Sequence, residues 1–146
     1  MIVDPNVIAG NNIVKMTPYS KIQQSGIDIT VKKIRRIISC TSFDVTYDDI
    51  NLPNILQPGA YDVEFNEYVN VPTNMVAIII TRSTFNRRGS FITTGLYDNG
   101  FKNYIGAVLH VTVPISIAKD ERIAQIVFMN CNHEAQYQGQ YNDKKM

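Results

Sequence analysis

The sequence predicts an all-β domain, a jelly roll or a related barrel-like sandwich. Three observations carry this. Short segments rich in β-branched residues recur along the chain, several with apolar side chains at alternate positions. Turn signals such as Pro58-Gly59 and Asn99-Gly100 separate them. No stretch keeps the 3.6-residue apolar period of a long amphipathic helix, and no internal repeat or linker is visible. With 146 residues the chain is expected to be one domain, 1–146, with a mobile C-terminal tail over 131–146.

Taken in order, Asp4 is placed to cap a short helical turn that has Pro5 at its first position, and Gly10-Asn11-Asn12 stops it. Ile13 to Met16 is a short strand. From Ile27 to Lys32 the alternation puts Ile27, Ile29 and Val31 on the core face and Asp28, Thr30 and Lys32 on the other, so Asp28 is expected to point away from the core. Strand composition continues from Ile34 to Val45. The Lys32, Lys33, Arg35 and Arg36 cluster reads as a solvated strand face. Asp48-Asp49, Asn51 and Pro53 mark a loop. Tyr61 to Val71 alternates again, with Val63 and Phe65 set against Asp62, Glu64 and Asn66. Met75 to Ile80 is a continuous apolar run, expected to be a strand buried on both faces. Leu109, Val111, Val113, Ile115 and Ile117 share one parity. A charged turn, Lys119 to Arg122, then leads into the last strong strand, Ile123 to Phe128.

Composition narrows the function. A formal net charge of +1 gives no general pull toward nucleic acid or a membrane surface. No apolar run approaches a bilayer span, and the first residues lack the form of a signal peptide, so a cytoplasmic protein is expected. Cys40 and Cys131 are read as reduced residues in or near the core. His110 and His133 have no metal-ligand spacing. The polar residues between the two strong central strands are therefore the candidate site. Arg82, Ser83, Thr84 and Arg87 suit a phosphate, because guanidiniums and hydroxyls make charge-assisted hydrogen bonds to its oxygens. Asp98, before Asn99-Gly100, is placed at a turn where water can reach it.

The order of these motifs resembles the dUTPase and dCTP deaminase superfamily. The segments that carry the resemblance are Ser25-Gly26-Ile27-Asp28-Ile29, Arg82-Ser83-Thr84-Phe85, Gly95-Leu96-Tyr97-Asp98-Asn99-Gly100-Phe101 and Asp120-Glu121-Arg122-Ile123-Ala124-Gln125-Ile126-Val127-Phe128. The Glu-Arg-Ile-Ala-Gln core of the last is the most specific. The opening residues, Gln57-Pro58-Gly59 and Tyr137-Gln138-Gly139-Gln140 look more like the deaminase branch. The resemblance implies a β-clip fold related to the jelly roll, a homotrimer, and nucleotide sites shared between subunits. It places Arg82, Ser83 and Thr84 on the phosphate chain with Arg87 close by, and Asp98 as the base that orients and deprotonates a water. It also puts Phe101 against the deoxyribose, Thr94 beside the base, and Asp28 and Gln125 in contact with Mg²⁺–triphosphate through water. Tyr137 and Gln140 of the tail are expected on the phosphates.

The two branches differ in chemistry. The position that matches the deaminase glutamate holds Val108, and Leu109 and His110 beside it supply no carboxylate. Hydrolysis of a phosphoanhydride needs only an oriented water, Mg²⁺, cations and a pyrophosphate leaving group. The expected activity is hydrolysis of dUTP to dUMP and pyrophosphate. The alternatives are a dCTP deaminase, a bifunctional enzyme, or a catalytically silent trimeric module. Asn103 departs from the family pattern, which has a small glycine two residues after the aromatic, and the glycine-rich C-terminal lid of ordinary dUTPases is absent.

Overall fold

Alternating apolar residues fold this chain into strands that wrap one curled sheet around a single core. The computed structural model describes residues 1–132 and 137–143. Within them the elements are α1 (Pro5–Gly10), β1 (Val14–Lys15), β2 (Lys21–Ile22), β3 (Ile27–Cys40), β4 (Val45–Ile50), β5 (Asn54–Leu56), β6 (Gly59–Asn70), β7 (Met75–Thr81), α2 (Ser83–Asn86), β8 (Ser90–Thr93), β9 (Lys102–Val111), β10 (Ile115–Ile117) and β11 (Arg122–Asn130). The main path of the sheet runs β7-β11-β3-β6-β9-β8; β1 joins β6, β2 and β4 join β3, and β5 pairs with β10 apart from it. Its ends approach each other: Ile92 N on β8 donates to Thr81 Oγ1 on β7 at 2.9 Å. The result is nearly a barrel, as the sequence predicted.

Strand β3 is the hinge of this architecture. Its first residues pair with β11, with Asp28 opposite Gln125, and its later ones pair with β6, with Ile34 opposite Val63. The register shifts between Val31 and Lys33. There Lys32 and Lys33 both face solvent, and the parity flips so that Ile27, Ile29, Val31 and Ile34 all reach the core. A β-bulge is how one strand serves two sheet directions.

At the N-terminus, Asp4 caps α1 as expected, its Oδ1 accepting from Asn6 N at 2.9 Å. Several expectations change. Asp28 is not on an open face; it is 1% exposed, because Gln23, just after β2, and two arginines cover that side. Strand β7 is buried on one face only: Met75, Ala77 and Ile79 face the core, and Ile80, on the other face, is 44% exposed. Cys40 is exposed near the tip of the β3–β4 hairpin and Cys131 is half-buried; both are free thiols. A short helix, α2, carries Ser83 and Thr84 in the polar stretch between the two central strands.

Candidate active site

Asp28 lies at the centre of a cluster drawn from four segments. Its Oδ2 accepts from Gln23 Nε2 at 2.7 Å and from Arg122 Nη1 at 3.1 Å, and Arg82 Nε stands 3.7 Å away. Arg82 Nη1 also donates to Arg122 O at 3.1 Å, and Arg82 N to Ile123 O at 3.0 Å. One buried carboxylate thus holds two guanidiniums side by side. Each remains about a third exposed (30% and 32%), so their outer donors are free to meet an anion. All these contacts fall on Oδ2; among the described residues none falls on Oδ1. Gln125, cross-strand from Asp28, folds its carboxamide over Gly26, where an added Cβ would lie 2.5 Å from Gln125 Oε1. Ser83, Thr84 and Arg87 follow on the exposed surface of α2 and its C-terminal cap.

The second constellation is the turn between β8 and β9. Phe101 N donates to Asp98 O at 3.0 Å, and Gly100 takes φ +88°, the left-handed conformation that glycine adopts at the third position of a type II turn. Tyr97 anchors the turn to β7: its backbone exchanges 2.9 Å hydrogen bonds with Ala77, and its hydroxyl donates to Gly106 O. Burial pushes the Tyr97 phenol well above its ordinary value, and the Gly106 bond only partly offsets this, so Tyr97 is a neutral structural post. Asp98 is left half-exposed, while Phe101 is buried with its ring edge-on to Tyr97 at 5.1 Å. Thr94 is half-buried ahead of this turn.

The tail docks on the same hairpin. Tyr137 N donates to Asn99 O at 2.7 Å and its ring packs against Phe101 at 5.5 Å. Asn103, 6% exposed, donates through Nδ2 to Tyr141 O at 2.8 Å, and Lys102 N donates to Asn142 Oδ1 at 2.8 Å. Asn103 therefore replaces a small glycine with a side chain that binds the tail. Gln140 is exposed in this segment.

The two constellations lie at opposite ends of β7. Tyr97 sits opposite Ala77, so Asp98 lies beyond it, while Arg82 follows the other end of the strand, five residues from Ala77. Five strand residues span roughly 16 Å. Within one chain, Arg82 turns toward Asp28 and Arg122, away from Asp98.

The position that the deaminase branch gives to glutamate is Val108, in register with Thr93 on one side and Asp62 on the other. Asp62 is engaged by Arg35 at 2.7 Å. His110 shares a 2.8 Å hydrogen bond with Thr93 Oγ1 and stacks on Phe91 at 4.8 Å. Among the described residues no three His, Cys, Asp or Glu side chains converge as a metal cage. Two polar residues of this region went unrecognised in the sequence: Arg122, inside the last motif, and Glu67. Glu67 has the same parity as Tyr61, Val63, Phe65 and Val69, and extending that alternation would have placed it inside.

A β-clip-like sheet carrying an arginine–aspartate cluster and an aspartate-bearing turn defines the class. The profile of the dCTP deaminase-like family matches residues 6–131, and the chain belongs to that family. It is 30% identical over 141 residues to a probable deoxyuridine 5'-triphosphate nucleotidohydrolase of Methanosarcina mazei, covering 86% of this chain and 82% of the relative. It is also 30% identical over 138 residues to the deoxyuridine 5'-triphosphate nucleotidohydrolase of Methanocaldococcus jannaschii, covering 85% and 88%. Among solved structures, the 2'-deoxycytidine 5'-triphosphate deaminase of Agrobacterium tumefaciens superposes with a TM-score of 0.72 at 18% identity, over 90% of this chain. The chain spans about half of that deaminase, 48% of its length. The EIAV dUTPase superposes with a TM-score of 0.56 at 15% identity, over 91% and 95%. These structural likenesses establish the fold.

Proposed function

We propose that this chain is a dUTP diphosphatase: dUTP plus water gives dUMP and pyrophosphate. The observation that carries the reading is the coexistence of the Asp28–Arg82–Arg122 anion site and the Asp98 turn, in a chain 30% identical to proteins named for hydrolysis of deoxyuridine triphosphate. In this reading Arg82, Ser83 and Thr84 bind the phosphate chain, with Arg87 nearby. Asp98 accepts the proton of the attacking water. Phe101 packs on the deoxyribose and leaves no room for a 2'-hydroxyl, and Thr94 lies beside the base. Mg²⁺ would neutralise charge that builds on the phosphates in the transition state. The unengaged Oδ1 of Asp28 suits contact with that ion through water, with Gln125 beside it, as expected for a small cation that keeps much of its hydration.

The separation of Arg82 from Asp98 along β7 supports a site built from two copies of the chain, and the homotrimer that the family resemblance implies would supply them. The tail then acts where it meets Phe101: that ring contact favours Tyr137 beside the nucleoside rather than on the phosphates as expected, with Gln140 toward the phosphates. No helix among the described residues is long and apolar enough to cross a membrane, and the proposed setting is the cytoplasm, without a nucleic-acid or membrane partner.

The reaction is tested by incubating the purified protein with Mg²⁺ and dUTP, dCTP, dTTP or UTP separately and identifying products. Release of dUMP and pyrophosphate from dUTP alone is the expected result. Uracil nucleotides from dCTP would establish deamination without a carboxylate at Val108, the reading that the family's description favours. Binding without turnover of any of the four would leave a silent module.

A further inference from the structure

The carboxylate of Glu67 is fully buried on β6, and neither the phosphate site nor the Asp98 turn uses it directly. Its Oε1 accepts from Thr30 N at 2.9 Å; its Oε2 accepts from Thr30 Oγ1 at 2.8 Å and from Ser20 Oγ at 2.5 Å. Among the described residues no lysine or arginine reaches it. Next to it, Asn66 Nδ2 donates to Thr30 Oγ1 at 2.9 Å and to Asp120 Oδ1 at 2.9 Å. A buried carboxylate served by three neutral donors is costly to place, so its location is informative.

That location is the junction where β3 leaves β11 and joins β6. Thr30 is in register with Arg122, and Val31 with Phe65. At such a junction a backbone donor loses its ladder partner, and here Thr30 N–H is given to Glu67 instead. Asp28 lies two residues before this point on β3. Arg122, across from it on β11, turns back to bond Asp28. The turn that leads into Arg122 is tied to the same network through Asp120.

We infer that Glu67 is a positioning residue for the phosphate site: by fixing Thr30 and, through Asn66, Asp120, it sets the register in which Asp28 holds Arg82 and Arg122. The inference rests on the reading of that cluster as the triphosphate site. It makes Glu67 act on nucleotides through their outer phosphates, although it touches none of them. A role in stability alone would act on all ligands alike.

The test compares the full-length wild type with Glu67→Gln, which keeps shape but presents an amide to the donors, and with Ser20→Ala, which removes one outer donor. For each, kcat and KM for dUTP are measured, with the dissociation constants of α,β-imido-dUTP and dUMP. Glu67→Gln is expected to raise KM and the imido-dUTP constant about tenfold, as loss of an aligned charge-assisted contact does, and to move dUMP less than twofold. Ser20→Ala shifts the same two quantities in the same direction by a smaller factor. In an Arg122→Ala background, Glu67→Gln has no further effect on triphosphate binding. Equal weakening of dUTP and dUMP analogues, additive losses with Arg122→Ala, or a lowered Tm with unchanged KM would each overturn the inference. If Glu67→Gln does not fold, Ser20→Ala decides by the same criteria. A wild type that binds imido-dUTP without hydrolysing dUTP would refute the diphosphatase reading alone, leaving the ratio of binding constants to judge Glu67. A wild type that binds no triphosphate would refute both.

Discussion

Arg122 hydrogen-bonds Asp28 at 3.1 Å although its register partner on β3 is Thr30. The pairing shifts between Arg122 and Ala124, and this irregularity frees the arginine to lean back over the carboxylate that also faces Arg82. Two cations held beside one buried anion form a site with surplus positive charge, organised before any ligand arrives. Such preorganisation is what a triphosphate site gains most from, since little reordering remains at binding.

Asp28→Asn should separate binding from chemistry. Loss of the carboxylate leaves Arg82 and Arg122 without their common anchor, so KM for dUTP rises while kcat falls less. Because both guanidiniums are partly solvated, the stability loss is expected to be about 2 kcal/mol, below that of a wholly buried pair. Kinetics together with urea denaturation checks both, and an unchanged KM would remove Asp28 from the phosphate site.

Asp98→Asn is expected to cut turnover about a hundredfold or more, since the amide has no basic oxygen for the proton of water. Affinity for imido-dUTP should stay near wild type. Single-turnover assays beside binding titrations check this. Retained turnover would show that another group activates the water.

Shared sites can be tested by complementation. Arg82→Ala and Asp98→Asn should each be nearly inactive alone, but refolding them together should restore activity if one subunit supplies Arg82 and its neighbour Asp98. In a random mixture with such head-to-tail sites, about a quarter of them receive both intact residues. Activity that stays at the level of the separate variants would mean a site within one chain.

Gly26→Ala should damage the same region by crowding. The new methyl would lie 2.5 Å from Gln125 Oε1 and 2.7 Å from Ile126 O, and the second is backbone that has little room to yield. A cost of about 2 kcal/mol is expected, with weaker binding of triphosphate. Thermal unfolding and a KM measurement check it.

Asn103→Gly restores the family pattern and deletes the bond to Tyr141 O. The bond to the tail alone, worth about 1 kcal/mol, predicts about fivefold faster chymotrypsin cleavage near Tyr141. An unchanged cleavage rate would show that Asn103 does not hold the tail.

The sequence by itself determined the all-β class, because strands with one apolar face write a period of two into Ile27–Val31 and Tyr61–Val71. It also determined the Asp98 turn, since Gly100 at φ +88° has a local chemical signature. What covers the second face of a strand is a long-range matter. Alternation placed Asp28 opposite the core, but only the tertiary structure brought Gln23, Arg82 and Arg122 over it. Parity carried Glu67 inward, yet its partners, Ser20 and Thr30, come from segments 47 and 37 residues away. The distance between Arg82 and Asp98 was likewise decided by pairing, through the bridge of Tyr97 to Ala77. Local sequence sets which way a side chain faces; register and bulges between distant strands decide what it meets there.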